Sequence, residues 1–134
     1  ARLAHDLGVA ERVTWLGRLP RMALLAAYHH AAVFVLPSRY EAFGIALLEA
    51  QAAGCPVVAT NTASLPFIVQ HEQTGFLFRP EDPTDLAAKI LTLVQNGDLA
   101  RRVSAAGRER AHREFTWDES VRKLQKLYAE LTKS

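Results

Sequence analysis

Four short apolar runs constrain this chain more than any other feature: VTWLG at 13–17, VFVL at 33–36, PVVAT at 56–60 and FLF at 76–78. Each is rich in β-branched or aromatic residues, and they recur at roughly twenty-residue intervals with helix-like stretches between them, the rhythm of strands joined by helical crossovers. Runs this uniformly apolar suit strands covered on both faces, as in parallel sheets. The expected fold class is therefore α/β, a Rossmann-like parallel sheet with flanking helices. With 134 residues and 49% hydrophobic side chains the chain is long enough for one domain with a real core. Sixteen basic against fourteen acidic side chains leave a net charge of +2, which is no nucleic-acid footprint, so no nucleic-acid partner is expected. Cys55, the single cysteine, lies between Gly54 and Pro56 and reads as a small packed side chain in a reducing, cytoplasmic setting. No uninterrupted apolar run reaches the ~18 residues that a membrane span needs.

The helical stretches carry their own punctuation. Arg2 to Gly8 reads as the tail of a helix closed by glycine, beginning as abruptly as if cut from something longer. Pro20 suits a first helical position, with Met22, Leu25, Ala26 and His29 as the apolar face. His29 and His30 point about 100° apart, too far to share a metal, and read as surface or helix-end residues. Asp82, Pro83 and Asp85 mark a helix start and Asn96-Gly97 its end. Helices follow over 98–114 and 117–132, the second with a Thr116/Glu119 capping box. Its stripe of Val121, Leu124, Leu127, Tyr128 and Leu131 must lie against something. The arginines at 101, 102, 108, 110 and 113 read as a solvated face, with peripheral membrane association of a longer parent the lesser alternative.

Between the second and third runs stands the segment PSRYEAFGIALLEAQAAGCP, residues 37–56. Gly44 permits a close turn into a helix over 45–53 whose first free amides, at Phe43, Gly44 and Ile45, favour an anion. That helix is apolar enough to read as buried on most sides, which makes Glu49 in its middle a carboxylate in want of a partner. Glu41 at the mouth and Glu49 about one and a half turns in are expected to flank one anion pocket. Such a pocket suits a sugar joined to a diphosphate, because carboxylates accept from paired hydroxyls while amides hold phosphate. The plainer alternatives are a buried carboxylate capped by a backbone amide for Glu49 and a loop acid near Arg39 for Glu41.

These residues resemble the signature of the retaining glycosyltransferases of the GT-B fold, above all glycosyltransferase family 4, in which two glutamates separated by seven residues mark the donor site. Here the pair is Glu41 and Glu49, flanked by Pro37-Ser38, Phe43-Gly44, Glu49-Ala50, Gly54 and Pro56-Val57-Val58-Ala59-Thr60, and the similarity runs from VTWLG to the final LYAEL. The resemblance implies that residues 1–134 are part of the C-terminal, nucleotide-sugar-binding domain, with the acceptor domain and two early strands absent. It implies a nucleoside-diphosphate sugar donor, a sugar or lipid-linked acceptor reached through the missing domain, and neither metal nor other cofactor. By the same analogy Arg18 and Leu19 lie against the base, the amides of Phe43, Gly44 and Ile45 hold phosphate, Glu49 takes the ribose hydroxyls, and Glu41 is catalytic. The chain departs from the pattern at Ala63 and Ser64, where relatives carry glycines, and at Phe67, where they carry an acid. The alternatives are a non-catalytic nucleotide-binding or oligomerising fragment, or part of a sugar-nucleotide epimerase, whose acid and base are not found. With strands missing between 13–17 and 33–36, those two runs are expected to pair with each other or with a second copy, so self-association is expected.

Overall fold

The computed structural model describes residues 2–132. Strands β1 (Phe34–Leu36), β2 (Val57–Thr60) and β3 (Phe76–Phe78) form a parallel sheet in that order, with Val35 opposite Val58 and Val58 opposite Phe76. All of β2 is buried, because it is the central strand and has a layer on each face. Its side chains alternate between two cores. Val57 and Ala59 pack with Tyr28, Leu47, Leu65 and Ile68, whereas Val58 packs with Phe76, Phe78, Leu93 and Val103. The helices are α1 (Arg2–Asp6), α2 (Arg21–His30), α3 (Ile45–Ala52), α4 (Leu65–Ile68), α5 (Pro83–Gln95), α6 (Gly97–Glu114) and α7 (Trp117–Leu131). The predicted α/β class is what forms, and no helix is long and apolar enough to cross a membrane among the described residues.

Local signals act where they were expected. Gly8 closes α1 at φ +67°. The Asp82 side chain accepts from the Asp85 amide at 2.9 Å, and Asn96 both ends α5 and caps α6 through the Leu99 amide. Cys55 is buried, and burial raises its thiol above the ordinary range.

Several expectations fail. The run 13–17 is not a strand: it pairs with neither β1 nor any other described segment, and Trp15 is 71% exposed. A strand needs a neighbour to satisfy its amides and carbonyls, and none stands beside this segment, so β1 is left as the sheet edge. Helix α2 starts at Arg21 with Pro20 as its cap, and it buries Tyr28 with Leu24 and Leu25 beside it, while Met22 points outward. The edge-to-face contact of Tyr28 with Phe34 at 5.5 Å selects that face. The segment 61–69 after β2 contains the short helix α4. Helix α7 buries no residue, so its apolar stripe lies open. Only one arm of its capping box closes: Thr116 accepts from the Glu119 amide at 3.2 Å, but the Glu119 carboxylate turns to Arg122 and Lys123.

Candidate donor site

The turn from Glu41 to Gly44 leaves the carboxyl end of β1, the edge at which open α/β sheets bind ligands. Gly44 has φ +95°, and a Cβ there would stand 2.9 Å from Leu65 Cδ2 and 3.2 Å from Ile68 Cδ1. Only glycine fits. The first hydrogen bond of α3 runs from the Leu48 amide to the Gly44 carbonyl at 3.1 Å, and no side chain caps the helix. With Gly44 as the cap, the exposed amides without an intrahelical acceptor are those of Ile45 and Ala46, at the positive end of the dipole, one residue later than the expected Phe43, Gly44 and Ile45, while Leu47 is fully buried.

Glu41 is half-buried in this turn, and its backbone carbonyl accepts from Ser64 Oγ at 3.1 Å. Arg39, the neighbour that would make Glu41 an ordinary paired loop acid, pairs instead with Glu81 at 3.1 Å. Among the described residues the Glu41 carboxylate has no ion-pair partner. Arg39 and Glu81 also line a cavity of about 410 Å³ with Ser38, Thr60 and Asp82, at the same sheet edge.

Glu49 corrects two expectations. It is exposed rather than buried, as is Ile45, so α3 is a half-exposed helix whose buried residues are Leu47, Ala50 and Gln51. Nor does Glu49 share a pocket with the turn. Five residues at about 100° each place it ~140° around the helix from Gly44, on the flank rather than at the end. There it lines, with Arg21, His29, Arg108 and His112, a depression of about 360 Å³ between α2, α3 and α6, bonded to none of the four. The Tyr28 hydroxyl approaches its carboxylate at 3.5 Å, and burial, then the Glu49 charge, raise the Tyr28 phenol. Phe43 and Ile45 instead line a groove of about 510 Å³ with Phe67, Phe115 and Trp117.

Arg18 is exposed and Leu19 half-buried in the segment before α2, and neither side chain bonds another described residue. Arg21, at the start of that helix, borders the Glu49 depression, whereas Arg18 and Leu19 do not line it. Ala63 adopts φ +48°, the left-handed conformation that glycine takes more easily. His29 and His30 are exposed, and no cluster of His, Cys, Asp or Glu able to hold a metal occurs among the described residues.

Sequence reasoning missed Tyr28, Phe115 and above all Arg110. The alternation of arginine with alanine and glutamate along α6 predicts one solvated face, yet Arg110 is buried. It donates to the Ile68 carbonyl, to the Phe67 carbonyl at 2.9 Å and to Glu114 at 2.8 Å, and lies 5.1 Å from the Phe115 ring centre. Nothing in the local pattern separates it from Arg108 or Arg113; only Glu114 and Phe115 downstream hint at its partners.

The model of the family described as Glycosyl transferases group 1 matches residues 1–110. A D-inositol 3-phosphate glycosyltransferase of Corynebacterium jeikeium is 39% identical over 96% of this chain, and a GDP-mannose-dependent alpha-(1-6)-phosphatidylinositol monomannoside mannosyltransferase of Mycobacterium tuberculosis is 38% identical over 92%. The chain spans 30% and 34% of those two proteins. Among solved structures, a sucrose-phosphate synthase of Thermosynechococcus elongatus superposes with a TM-score of 0.88 at 35% identity, over 98% of this chain and 33% of its own. The Anabaena protein HepE, in complex with UDP, superposes at 0.81 and 27% identity, over 99% of this chain and 35% of its own. By fold, by its glutamate-bearing turn and by similarity along most of its length, the chain belongs to the family of glycosyl transferases group 1.

Proposed function

We propose that this chain is the donor-binding part of a retaining glycosyltransferase that moves a hexose-type sugar from a nucleoside diphosphate to a sugar or lipid-linked acceptor held by the rest of the parent protein. The observation that carries this reading is the turn at Glu41–Gly44. It sets an unpaired carboxylate beside the free amides of a helix start, at the carboxyl edge of a parallel sheet. Those amides suit the diphosphate, and Glu41 suits the donor sugar, where its charge interacts most strongly as positive charge develops at the anomeric carbon. Glu49, on the flank of α3 roughly 7.5 Å of helix rise from Gly44, suits the ribose hydroxyls of a nucleotide that runs from the turn along the helix rather than filling one pocket, with Arg18 and Leu19 toward the base. The HepE–UDP complex and the names of the mannosyltransferase and inositol-phosphate relatives support a nucleotide-sugar donor and a polyol or lipid-linked acceptor.

Calorimetric titration of the chain with UDP and with GDP tests this reading. One of the two binds weakly, and Glu49→Ala weakens it by about tenfold or more, the loss of a hydrogen bond to a charged group worth roughly 1.5–3 kcal/mol. Equal affinity of the wild type and Glu49→Ala removes the ribose role; no binding of either nucleotide removes the donor site as read here. A second reading, a non-catalytic oligomerising piece, is favoured by the open stripe of α7 and the unpaired run 13–17.

A further inference from the structure

We infer that Arg110 is a positioning residue for the Glu41–Gly44 turn and acts on it through α4. Helix α4 has only four residues, too few to hold itself together, and lies directly against the turn. Ser64 before it donates to the Glu41 carbonyl at 3.1 Å, and Leu65 and Ile68 fill the space where a Cβ on Gly44 would stand. The turn is thus shaped by α4 from both ends.

Besides the burial of Leu65 and Ile68 in the core, what holds the carboxyl end of α4 is one buried guanidinium. The carbonyls of Phe67 and Ile68 have no acceptor role inside so short a helix, and Arg110 satisfies both at once with two arms of its planar fork. Its third arm bonds Glu114, whose carboxylate is held below the usual range first by the Arg113 hydrogen bond and then by Arg110. The positive charge also sits at the negative end of the α4 dipole. Phe115, over which the guanidinium lies, meets Phe67 edge-on at 5.6 Å and Phe43 at 6.4 Å, closing a second route from α6 to the turn. An arginine is needed because lysine offers a point charge and cannot span two carbonyls and a carboxylate in one plane.

The inference rests on the donor-site reading for its functional consequence alone, so the test has two arms. In the first, amide hydrogen exchange is followed by NMR in the wild type, Arg110→Lys, Ser64→Ala and the double variant. Arg110→Lys speeds exchange of the Leu48 amide, which is bonded to the Gly44 carbonyl at the turn, and of the Val69 amide that closes α4, about tenfold while the Val57 to Thr60 amides stay as in the wild type, since local opening need not lower global stability. Ser64→Ala does the same, and the double variant adds less than the sum because both act through α4. If the turn amides are unchanged, or if β2 loosens equally, Arg110 is a fold-stabilising residue only and the inference is overturned. Additive single effects overturn the route through α4. Should Arg110→Lys fail to fold, Glu114→Gln, which weakens the bond that orients the guanidinium toward α4, carries the same comparison. In the second arm, UDP and GDP are titrated into the same variants, and Arg110→Lys weakens nucleotide binding about tenfold. Faster exchange at the turn in a chain that binds neither nucleotide leaves the positioning role standing and removes the donor reading.

Discussion

At the scale of single residues, backbone conformation and free volume decide what the turn tolerates. Gly44 carries both constraints, a left-handed φ of +95° and a Cβ position 2.9 Å from Leu65, whereas Gly8 at φ +67° faces open space. Gly44→Ala is therefore expected to cost about 2–4 kcal/mol, combining the left-handed penalty with overpacking, and Gly8→Ala only ~1–2 kcal/mol. Denaturant melts of the two variants check this; equal losses would mean that the contact with α4 contributes nothing. Ala63 shows the complementary case, since it holds φ +48° with a side chain present. Strain of that kind is tolerated where neighbouring contacts over-determine the backbone, and here the Leu65 amide bond to the Thr62 carbonyl and the Ser64 bond to Glu41 flank it.

At the scale of elements, caps and ion pairs set the pH dependence. Asp85 in the first turn of α5 is held below the ordinary carboxylate range first by the Arg79 amide at 2.8 Å and further by Lys89 and Arg79. A depressed carboxyl stabilises the fold above its unfolded pKa of about 3.9, and that contribution is lost as pH falls through the lower folded value. Thermal melts from neutral pH down through the carboxylate range should show Asp85→Asn less stable than the wild type at neutral pH, with the gap closing in acid. A gap constant with pH would show that the side-chain charge is irrelevant. The site joins elements that are distant in sequence: α6 reaches back to α4, and α4 to the turn before α3.

At the scale of the whole molecule, two apolar surfaces are uncovered. One is the stripe of α7, the other the segment 13–17 with the bare edge of β1. Burial of apolar surface is rewarded at about 25 cal/mol per Å² and an open strand edge invites pairing, so the chain by itself is expected to self-associate. Sedimentation should give a mass above the 14.8 kDa of one chain, rising with concentration. A monomer across a wide concentration range would contradict this. Sugar transfer by the chain alone is not expected on the proposed reading, because the chain spans only 30% and 34% of the two glycosyltransferases it matches.

Periodicity and punctuation made much of this legible in advance. The parallel α/β class follows from apolar runs that need cover on both faces, and the starts of α5 and α7 follow from side chains that cap their own neighbours, all interactions within a few residues of chain. The turn at Glu41–Gly44 was legible for the same reason: glycine and a helix start act locally. What needed the tertiary structure was everything set by partners remote in sequence. Whether 13–17 becomes a strand depends on a neighbour to bond with, and none is there. Which side of α2 is buried depends on where Phe34 lies, and whether the two glutamates converge depends on how α3 is rotated against its surroundings. That Arg110, among five similar arginines of α6, is the buried one depends on the two carbonyls at the end of α4 that it alone reaches. Local propensity is written residue by residue, whereas burial and pairing are decided by the geometry of the assembled fold.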